Sequence, residues 1–142
     1  MTTEPVAQDT RAILDVLHAY CHTLDGGDAA GCADCFTDDG VWEAVWTDGS
    51  PVEGHRFCGR DELEAYFGRI VVEHPAWSQH HLVNDARVHV DGDGATVESY
   101  FTTVLAGAPP QLGAVGRYVD RLARGADGRW RFTVRTIVAR RP

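Results

Sequence analysis

The chain has 142 residues, a length typical of one domain, and its 44% hydrophobic content is sufficient for a sizeable core. Thirteen Lys and Arg residues against 21 Asp and Glu residues produce a formal net charge of -8, and no basic block appears apart from Arg140 and Arg141. Nucleic acid and anionic membranes are therefore not expected as partners. The first ten residues lack the pattern of a secretory signal, and no run of about 18 apolar residues occurs, so a cytoplasmic protein is expected.

The N-terminal part of the chain is predicted to be helical. Asp9 or Thr10 can cap a helix that ends at Gly26–Gly27, because the apolar residues between them recur at helical spacing. Asp28 can cap a second, short helix that extends through Phe36. Two helices are thus expected before the first strand.

Turn and strand signals alternate after the second helix. Residues 37–40 are predicted to form a turn, which leads into a strand at 41–46. The Gly-rich segment 48–59 is predicted to be a loop or an irregular hairpin. A third helix is expected to begin near Arg60, with Tyr66 among its inward residues.

The C-terminal half is predicted to be an antiparallel meander. Strong hairpin signals occur at 91–94 and 125–128, and another turn is expected at 106–110. The predicted strands cover residues 80–90, 95–105, 116–124 and 128–139. Helices followed mainly by long antiparallel strands indicate an α+β fold, in which three helices cover one face of a curved sheet.

One predicted strand is expected to carry a histidine into a cavity. Alternate residues from position 80 form its more apolar side, so His80 and Asn84 are expected to point inward. His81 takes the inward position instead if the register slips by one residue. Asp25, at the end of the first helix, is a suitable carboxylate for an imidazole. We therefore predict a catalytic acid–base dyad of Asp25 and His80, with His81 as the alternative catalytic residue.

Several further residues are candidates for binding a substrate. Tyr20 could hold a substrate carbonyl, Asn84 could bind a substrate oxygen, and aromatic residues could form the walls for a planar ligand. Along the predicted strand at 128–139, the alternation of side chains places Arg135 on the face opposite to Trp130. Arg135 is therefore expected either in the pocket or paired with a carboxylate at a dimer interface. Ordinary core packing would explain the aromatic residues equally well. The candidate substrate-binding residues are Tyr20, Trp42, Trp46, Asn84, Phe101, Tyr118 and Arg135.

Neither a metal nor an organic cofactor is expected. Cys32 and Cys35 have the spacing of a zinc-ligand pair, but a spacing of three on a helix equally places two small apolar side chains on one face. Buried reduced thiols are the favoured interpretation. His18 and His22 lie one helical turn apart, and two solvated histidines explain that spacing better than a metal site does.

The order and spacing of several motifs identify a family resemblance. The motifs are AILDVLHAYCHTLDGGD, CFTDDGVW, GRDELEAYF, HHLVN with VDGDGA, and GRYVDRLAR with DGRWRF, within about residues 10–140. This arrangement resembles the polyketide cyclase SnoaL-like branch of the nuclear transport factor 2-like superfamily. The resemblance implies a cone-shaped α+β barrel, whose strongly curved sheet surrounds a central pocket, and often a dimer. It also implies that Asp25 and His80 correspond to the dyad of scytalone dehydratase, with Tyr20 near the position of its tyrosine.

Members of this superfamily include scytalone dehydratase and ketosteroid isomerase, whereas other members bind ligands or assemble complexes. The expected function is therefore a cofactor-independent lyase or isomerase, of the dehydratase, cyclase or isomerase type. Its substrate would be a small hydrophobic molecule of a polyketide or terpenoid kind in secondary metabolism. The alternative is a non-catalytic binding or assembly module similar to dioxygenase small subunits. A homodimer is expected through the outer sheet face, near Val83, Val119 and Ile137.

Overall fold

A computed structural model describes residues 3–142 and shows helices packed on a curved, six-stranded sheet. The helices are α1 (Thr3–Asp25), α2 (Ala29–Ala33) and α3 (Arg60–Glu73). The strands are β1 (Phe36–Trp46), β2 (Pro51–Cys58), β3 (Gln79–Asp91), β4 (Gly94–Leu105), β5 (Gln111–Arg124) and β6 (Trp130–Ala139).

The sheet has the strand order β2-β1-β6-β5-β4-β3 and remains open. β1 and β6 run parallel, and every other neighbouring pair is antiparallel. The α+β prediction is confirmed, as are the hairpins at 91–94 and 125–128. Residues 37–40 belong to β1 instead of the expected turn, and α2 ends at Ala33, before the predicted end at Phe36. The segment 48–59 contains β2, which pairs antiparallel with β1 across a register shift, so the irregular hairpin is confirmed and the loop is not.

An apolar stripe on α1 anchors this helix to the sheet. Ile13, Leu17, Tyr20 and Leu24 recur every three or four residues and are all at most 2% exposed. The helix begins at Thr3, earlier than predicted, and it ends where Gly27 adopts a φ of 85°. This ending places the last helical residue, Asp25, beside the start of β3.

Local hydrogen bonds define the starts of the two shorter helices. The Asp28 side chain accepts a hydrogen bond of 2.8 Å from the backbone amide of Gly31, which caps α2 as predicted. α3 follows Gly59, whose φ of 88° is accessible to glycine. The Glu62 carboxylate accepts a 2.7 Å hydrogen bond from the amide of Cys58 and joins the end of β2 to α3.

A β-bulge interrupts β3 and reverses the expected inward side of its first half. Asp85, with a φ of 56°, lies where the β3–β4 register shifts by one residue. Ala86 and Val88 face inward after the bulge, as the alternation predicted, but His81 and Val83 face inward before it. Two consecutive residues, Asn84 and Asp85, are exposed, so the alternation of inward and outward side chains shifts by one residue at this point. An alternation extended from the second half of β3 therefore predicts the wrong side for residues of the first half.

A second β-bulge, in β6, also reverses which side chains face inward. Leu122 of β5 pairs with Phe132, whereas the preceding Arg121 pairs with Val134, so one extra residue is accommodated in β6. Trp130 and Phe132 are buried before this point, and Arg135 is buried after it. The expectation that Arg135 alternates opposite to Trp130 is therefore wrong, because the extra residue brings both side chains to the same side.

Three cysteines lie within the core. Cys21, Cys32 and Cys35 are buried as free thiols, whereas Cys58 is exposed. Burial raises the pKa of Cys21 to about 12 and that of Cys35 to about 11, since a thiolate is poorly solvated there. These three side chains therefore remain protonated near neutral pH. Within residues 3–142, no helix combines the length and the apolar character that a membrane crossing requires.

Candidate active site

A cavity of about 200 Å³ lies between the helices and the sheet face that they cover. α1 and α3 form one side, and residues from five strands form the other. Its walls are largely aromatic and aliphatic, with a small number of polar groups, which is typical of small-molecule sites. The lining residues are Tyr20, Leu24, Trp42, Tyr66, Ile70, Glu73, His74, Gln79, His81, Phe101, Thr103, Ala114, Tyr118 and Ile137.

Asp25 and His81 form a hydrogen-bonded pair at the edge of this cavity. Asp25 Oδ1 lies 2.6 Å from His81 Nδ1, and Asp25 Oδ2 accepts a 2.7 Å hydrogen bond from the His81 backbone amide. The two side chains are only 7% and 11% exposed, respectively. Both carboxylate oxygens are thus engaged by one residue, and this bidentate contact holds the end of α1 against the start of β3.

The contact determines which ring nitrogen of His81 is available for chemistry. A carboxylate can only accept hydrogen bonds, so Nδ1 carries the hydrogen that points at Asp25. In the neutral imidazole, Nε2 then has a free lone pair and can accept a proton. Because His81 lines the cavity, a bound molecule could meet that nitrogen.

The predicted contact between Asp25 and His80 is wrong. His80 is exposed, its Nε2 lies 3.1 Å from the carbonyl oxygen of Trp77, and its ring meets the edge of the Trp77 ring. The bulge at Asp85 is the physical cause, because it turns the first half of β3 over relative to the second half. The alternative residue, His81, occupies the inward position.

Two other candidate residues lie away from the cavity. Asn84 is exposed for the same reason as His80, and its side-chain amide donates a 3.1 Å hydrogen bond to Asp85. Trp46 is half-buried at the end of β1, where the guanidinium of Arg141 lies 4.9 Å from its ring centroid. The expectation that Asn84 and Trp46 contact a ligand in this cavity is therefore wrong.

Tyr20 and Trp42 line the cavity as expected, and they contact each other. Trp42 Nε1 donates a 3.0 Å hydrogen bond to the Tyr20 hydroxyl oxygen. The Tyr20 and His81 rings meet edge to face at 6.3 Å. Burial raises the pKa of Tyr20 well above its usual value, so this side chain stays a neutral phenol that can donate its own hydrogen.

Phe101 and Tyr118 form another part of the wall. Their rings stack with centroids 4.5 Å apart and planes inclined by 20°. Burial also raises the pKa of Tyr118, which therefore remains protonated across the physiological range. The cavity thus contains a second phenol whose hydroxyl hydrogen can be donated to a ligand.

Arg135 lies behind the cavity wall, where it is completely buried. Its Nε and Nη2 atoms donate hydrogen bonds of 2.9 and 3.2 Å to the two carboxylate oxygens of Asp120. Burial alone would lower the pKa of Arg135, but the Asp120 carboxylate raises it above its usual value. Arg135 is therefore a cation paired within its own chain, and neither the expected position in the pocket nor the one at a dimer interface is observed.

Several lining residues were not predicted as ligand contacts. Tyr66 was expected to face inward, and Ile70 and Glu73 lie on the same face of α3 at a helical spacing that could have assigned all three to the cavity. His74 directly follows the helix. Thr103 is 3% exposed and accepts a 2.6 Å hydrogen bond from the amide of Ala114, a contact between β4 and β5 that sequence spacing does not predict.

The potential metal ligands noted in the sequence are dispersed. Between residues 3 and 142, no three His, Cys, Asp or Glu side chains come together in an arrangement that could hold a metal ion. The Cys32 thiol instead lies 3.9 Å from the carbonyl oxygen of Tyr20, and the Cys35 thiol lies 3.6 Å from that of Gly31.

Comparison with known proteins identifies the family. A family model described as a SnoaL-like domain matches residues 5–136. No curated protein matches the sequence significantly. Among solved structures, a point variant of Rv3472 from Mycobacterium tuberculosis, a protein of unknown function, is 30% identical with a TM-score of 0.82. That match covers 96% of this chain and 75% of Rv3472.

Two structures from Novosphingobium aromaticivorans share the fold at lower identity. A candidate scytalone dehydratase is 20% identical with a TM-score of 0.78, over 96% of this chain and 87% of that chain. A candidate β subunit of an aromatic-ring-hydroxylating dioxygenase is 24% identical with a TM-score of 0.78, over 96% and 93% of the respective chains. The family model and the likeness to Rv3472 together show that the chain belongs to the SnoaL-like domain family, within the nuclear transport factor 2-like superfamily.

Proposed function

We propose that the protein is a cofactor-independent lyase or isomerase in which Asp25 and His81 act as an acid–base dyad. The observation that carries this proposal is the buried, bidentate contact between the Asp25 carboxylate and His81 at the wall of a cavity. A histidine oriented by a carboxylate is a recurrent general base, because the carboxylate selects the tautomer and stabilises the imidazolium that forms.

The proposed first step is removal of a proton from an activated carbon atom. His81 Nε2 forms a bond to the proton, and the electron pair of the broken C–H bond stays on the substrate. The imidazolium then returns this proton to a leaving hydroxyl group, which departs as water, or to another carbon atom. Dehydration follows in the first case and isomerisation in the second. Cyclisation can begin with the same abstraction, so one dyad supports all three reaction types.

The size of the cavity limits the substrate. A dry cavity of about 150 Å³ is large enough to bind benzene. The cavity of about 200 Å³ in this protein therefore suits a compact hydrophobic molecule, such as one ring with substituents. Aromatic side chains from α1, α3 and three strands provide flat surfaces for such a ring. A small polyketide or terpenoid of this size is the proposed substrate class.

The test is conversion of candidate ring compounds by the wild-type protein and four variants. His81→Gln should lower turnover by about 10² to 10⁴-fold, the usual contribution of a positioned acid–base group. Asp25→Asn should also lower turnover, since an amide cannot stabilise the imidazolium and favours the wrong tautomer. The double variant should be no worse than His81→Gln, because both residues serve one proton transfer.

His80→Gln is the matched control, since it makes the same chemical change one residue away on the exposed side of β3. It should retain wild-type turnover, and circular dichroism should show that all four variants fold. Equal conversion by the wild-type, His81→Gln and Asp25→Asn proteins would disprove the proposed mechanism.

The second candidate function is a non-catalytic binding or assembly module. One observation favours it: the Asp25 carboxylate also binds the His81 backbone amide, so the pair has a structural role in joining α1 to β3. The fold shared with a candidate dioxygenase β subunit is compatible with this reading. A module of this type would bind ring compounds in the cavity without converting them, and the Asp25 and His81 substitutions would change affinity or stability alone.

We also propose a homodimer formed through the outer face of the sheet. Of the three residues named for this face in the sequence, Val83 and Ile137 turn inward, whereas Val119 alternates with the buried Tyr118 and Asp120 and lies on the outer side. The exposed apolar side chains there are Leu82, Tyr100, Leu112 and Val115, which surround Thr102 and Val104 across β3, β4 and β5. Charges of both signs border them, namely Asp85, Arg87, Glu98 and Arg117, so a second copy can offer complementary charges.

Sedimentation at tens of micromolar tests the dimer. The wild-type protein should sediment as a dimer, and Leu112→Glu should sediment as a monomer, because a charge would be buried without a partner at the interface. Val72→Glu is the control, since Val72 is at least as exposed as Leu112 but lies on α3. A wild-type monomer at this concentration would refute the dimer.

A further inference from the structure

A buried cation lies directly behind the aromatic wall of the cavity. The guanidinium carbon of Arg135 is 3.5 Å from the ring centroid of Tyr118, 4.3 Å from that of Tyr20 and 4.5 Å from that of Phe132. The first distance corresponds to direct stacking of the guanidinium on the phenol ring. Tyr118 and Tyr20 line the cavity, so the positive charge acts through one layer of aromatic rings.

The hydrogen bonds of Arg135 leave part of its charge directed at these rings. Asp120 engages Nε and Nη2, whereas Nη1 is buried and has no hydrogen-bond partner within residues 3–142. A buried donor without a partner costs free energy, so core packing alone does not explain an arginine here. A stabilising role towards negative charge on the other side of the rings would explain it.

We propose that Tyr118 binds a developing oxyanion in the cavity and that Arg135 strengthens it for this task. A cation stacked on a phenol ring withdraws electron density from it and makes the hydroxyl a stronger hydrogen-bond donor. Tyr118 is the catalytic residue in this assignment because its hydroxyl touches the ligand. Arg135 is a positioning residue, since it acts through the ring of Tyr118.

Tyr118 fits this role better than Tyr20 does. Its ring is the closest to the guanidinium, and it is also held by the stacked ring of Phe101. The hydroxyl of Tyr20 already accepts a hydrogen bond from Trp42, whereas Tyr118 makes no hydrogen bond through its side chain to any residue in the described part of the chain. Tyr118 therefore has its hydroxyl available for a ligand.

The inference deepens the proposed function and rests on it for the nature of the substrate. When His81 removes a proton from a carbon next to a carbonyl group, the electron pair of the C–H bond forms a C=C bond. The π electrons of the carbonyl group move onto its oxygen, which then carries the negative charge. A preorganised donor at this oxygen stabilises the transition state. The substrate class is therefore a compact ring compound with a carbonyl group and an acidic C–H bond beside it.

A phenolate is a suitable probe because it presents an oxyanion on one ring without any turnover. The probe is 4-nitrophenol, whose anion absorbs visible light whereas its neutral form does not, and nitrobenzene is the neutral control ligand. In the wild-type protein, the pKa of bound 4-nitrophenol should fall by about one unit or more, which corresponds to at least about tenfold tighter binding of the anion than of the neutral form.

Three variants test the two residues. Tyr118→Phe keeps the stacked ring and should abolish the preference for the anion. Arg135→Met combined with Asp120→Leu removes both charges together, because removal of one partner would leave a buried charge unpaired. This double variant should show a weaker preference for the anion even though Tyr118 is still present. Arg135→Lys, which keeps the positive charge, should retain more of the preference than the double variant does. Each variant should bind nitrobenzene like the wild-type protein, which shows that the cavity is intact.

His81→Gln separates this inference from the proposed function, because it removes the imidazolium as a second partner for an anion. The preference for the anion should persist in this variant even though turnover is lost. The inference is overturned if the wild-type protein lacks the preference, if Tyr118→Phe retains it or if His81→Gln loses it. If the variant that combines Arg135→Met with Asp120→Leu does not fold, Arg135→Lys and Tyr118→Phe decide the outcome. The absence of turnover with an intact preference would refute the proposed function and leave oxyanion binding in place.

Discussion

Regular alternation of inward and outward side chains holds along β4 but not along the neighbouring strand β3. Along β4, the buried residues are Ala95, Val97, Ser99, Phe101 and Thr103, an unbroken alternation over nine residues. Along β3, the alternation reverses at Asn84–Asp85. Phe101 was therefore placed correctly from the sequence, and His80 was not. The difference shows that side-chain parity can be extended along a strand only as far as the next bulge.

The bulge in β3 also decides the chemistry of the cavity. His80 and His81 are adjacent and identical in type, so their different roles in the structure follow from their orientation alone. The first half of β3 is oriented by the contact of Asp25 with the side chain and the backbone amide of His81. The second half is oriented by apolar contacts of Val88 and Val90 with the core. The extra residue at the bulge lets both halves satisfy their contacts.

The largest effect on stability is expected from a charge placed on the inward side of the first half of β3, and a charge on the outward side is the control. Val83→Asp should destabilise the fold by about 2–4 kcal/mol, because a carboxylate would be forced against the core without a partner. Leu82→Asp, at a residue that is 51% exposed, should change the stability of the monomer by less than about 0.5 kcal/mol. Urea unfolding at low protein concentration measures both values. Equal destabilisation by the two substitutions would contradict the inward orientation of Val83.

A smaller effect is expected at the bulge itself. Asp85 has a φ of 56°, in the left-handed region that glycine adopts without strain. Asp85→Val should destabilise the fold by about 1–2 kcal/mol, because a β-branched residue is strained there. Asp85→Gly should be neutral or slightly stabilising. Thermal unfolding of the two variants gives the comparison, and a more stable Val variant would contradict the bulge geometry.

The smallest effect is expected in the regular strand β4. The hydroxyl of Ser99 is buried and has no hydrogen-bond partner within residues 3–142. Ser99→Ala removes a polar group that gains nothing from the fold, so it should stabilise the protein by about 1 kcal/mol. The melting temperature should rise by about 2–4 °C for a chain of this size. Thr102→Ala, on the outer side of the same strand, is the control and should not raise it.

The sequence predicted the fold well because the fold depends on local, repeated signals. The apolar stripe of α1, the cap of α2 at Asp28 and the hairpin at 91–94 are each encoded within a few residues. The same signals place Asp25 at the end of a helix and the two histidines at the start of a strand. The hairpin strand β2 was predicted only as one of two alternatives, because its residues are mostly exposed and include glycine.

The site was predicted in part. Tyr20, Trp42, Phe101 and Tyr118 lie at the cavity because each belongs to a regular helix or a regular stretch of strand. His80, Asn84 and Arg135 were misplaced because a bulge lies between each of them and the residues from which its orientation was inferred. The bulge at Thr133 leaves no distinct residue pattern, because threonine is common in strands. The bulge in β3 did leave a signal, since Asn84 and Asp85 are both of a type that is disfavoured within strands and tolerates a positive φ.

The sequence by itself determined the α+β class, the order of most elements and the residue types available to the cavity. These features follow from propensity, capping and hydrophobic periodicity, which act over short distances along the chain. Tertiary structure alone decided that His81 meets Asp25 and that Arg135 lies beneath Tyr118. Both outcomes depend on strand register, which is selected by the combined packing of helices and strands that are distant in the sequence.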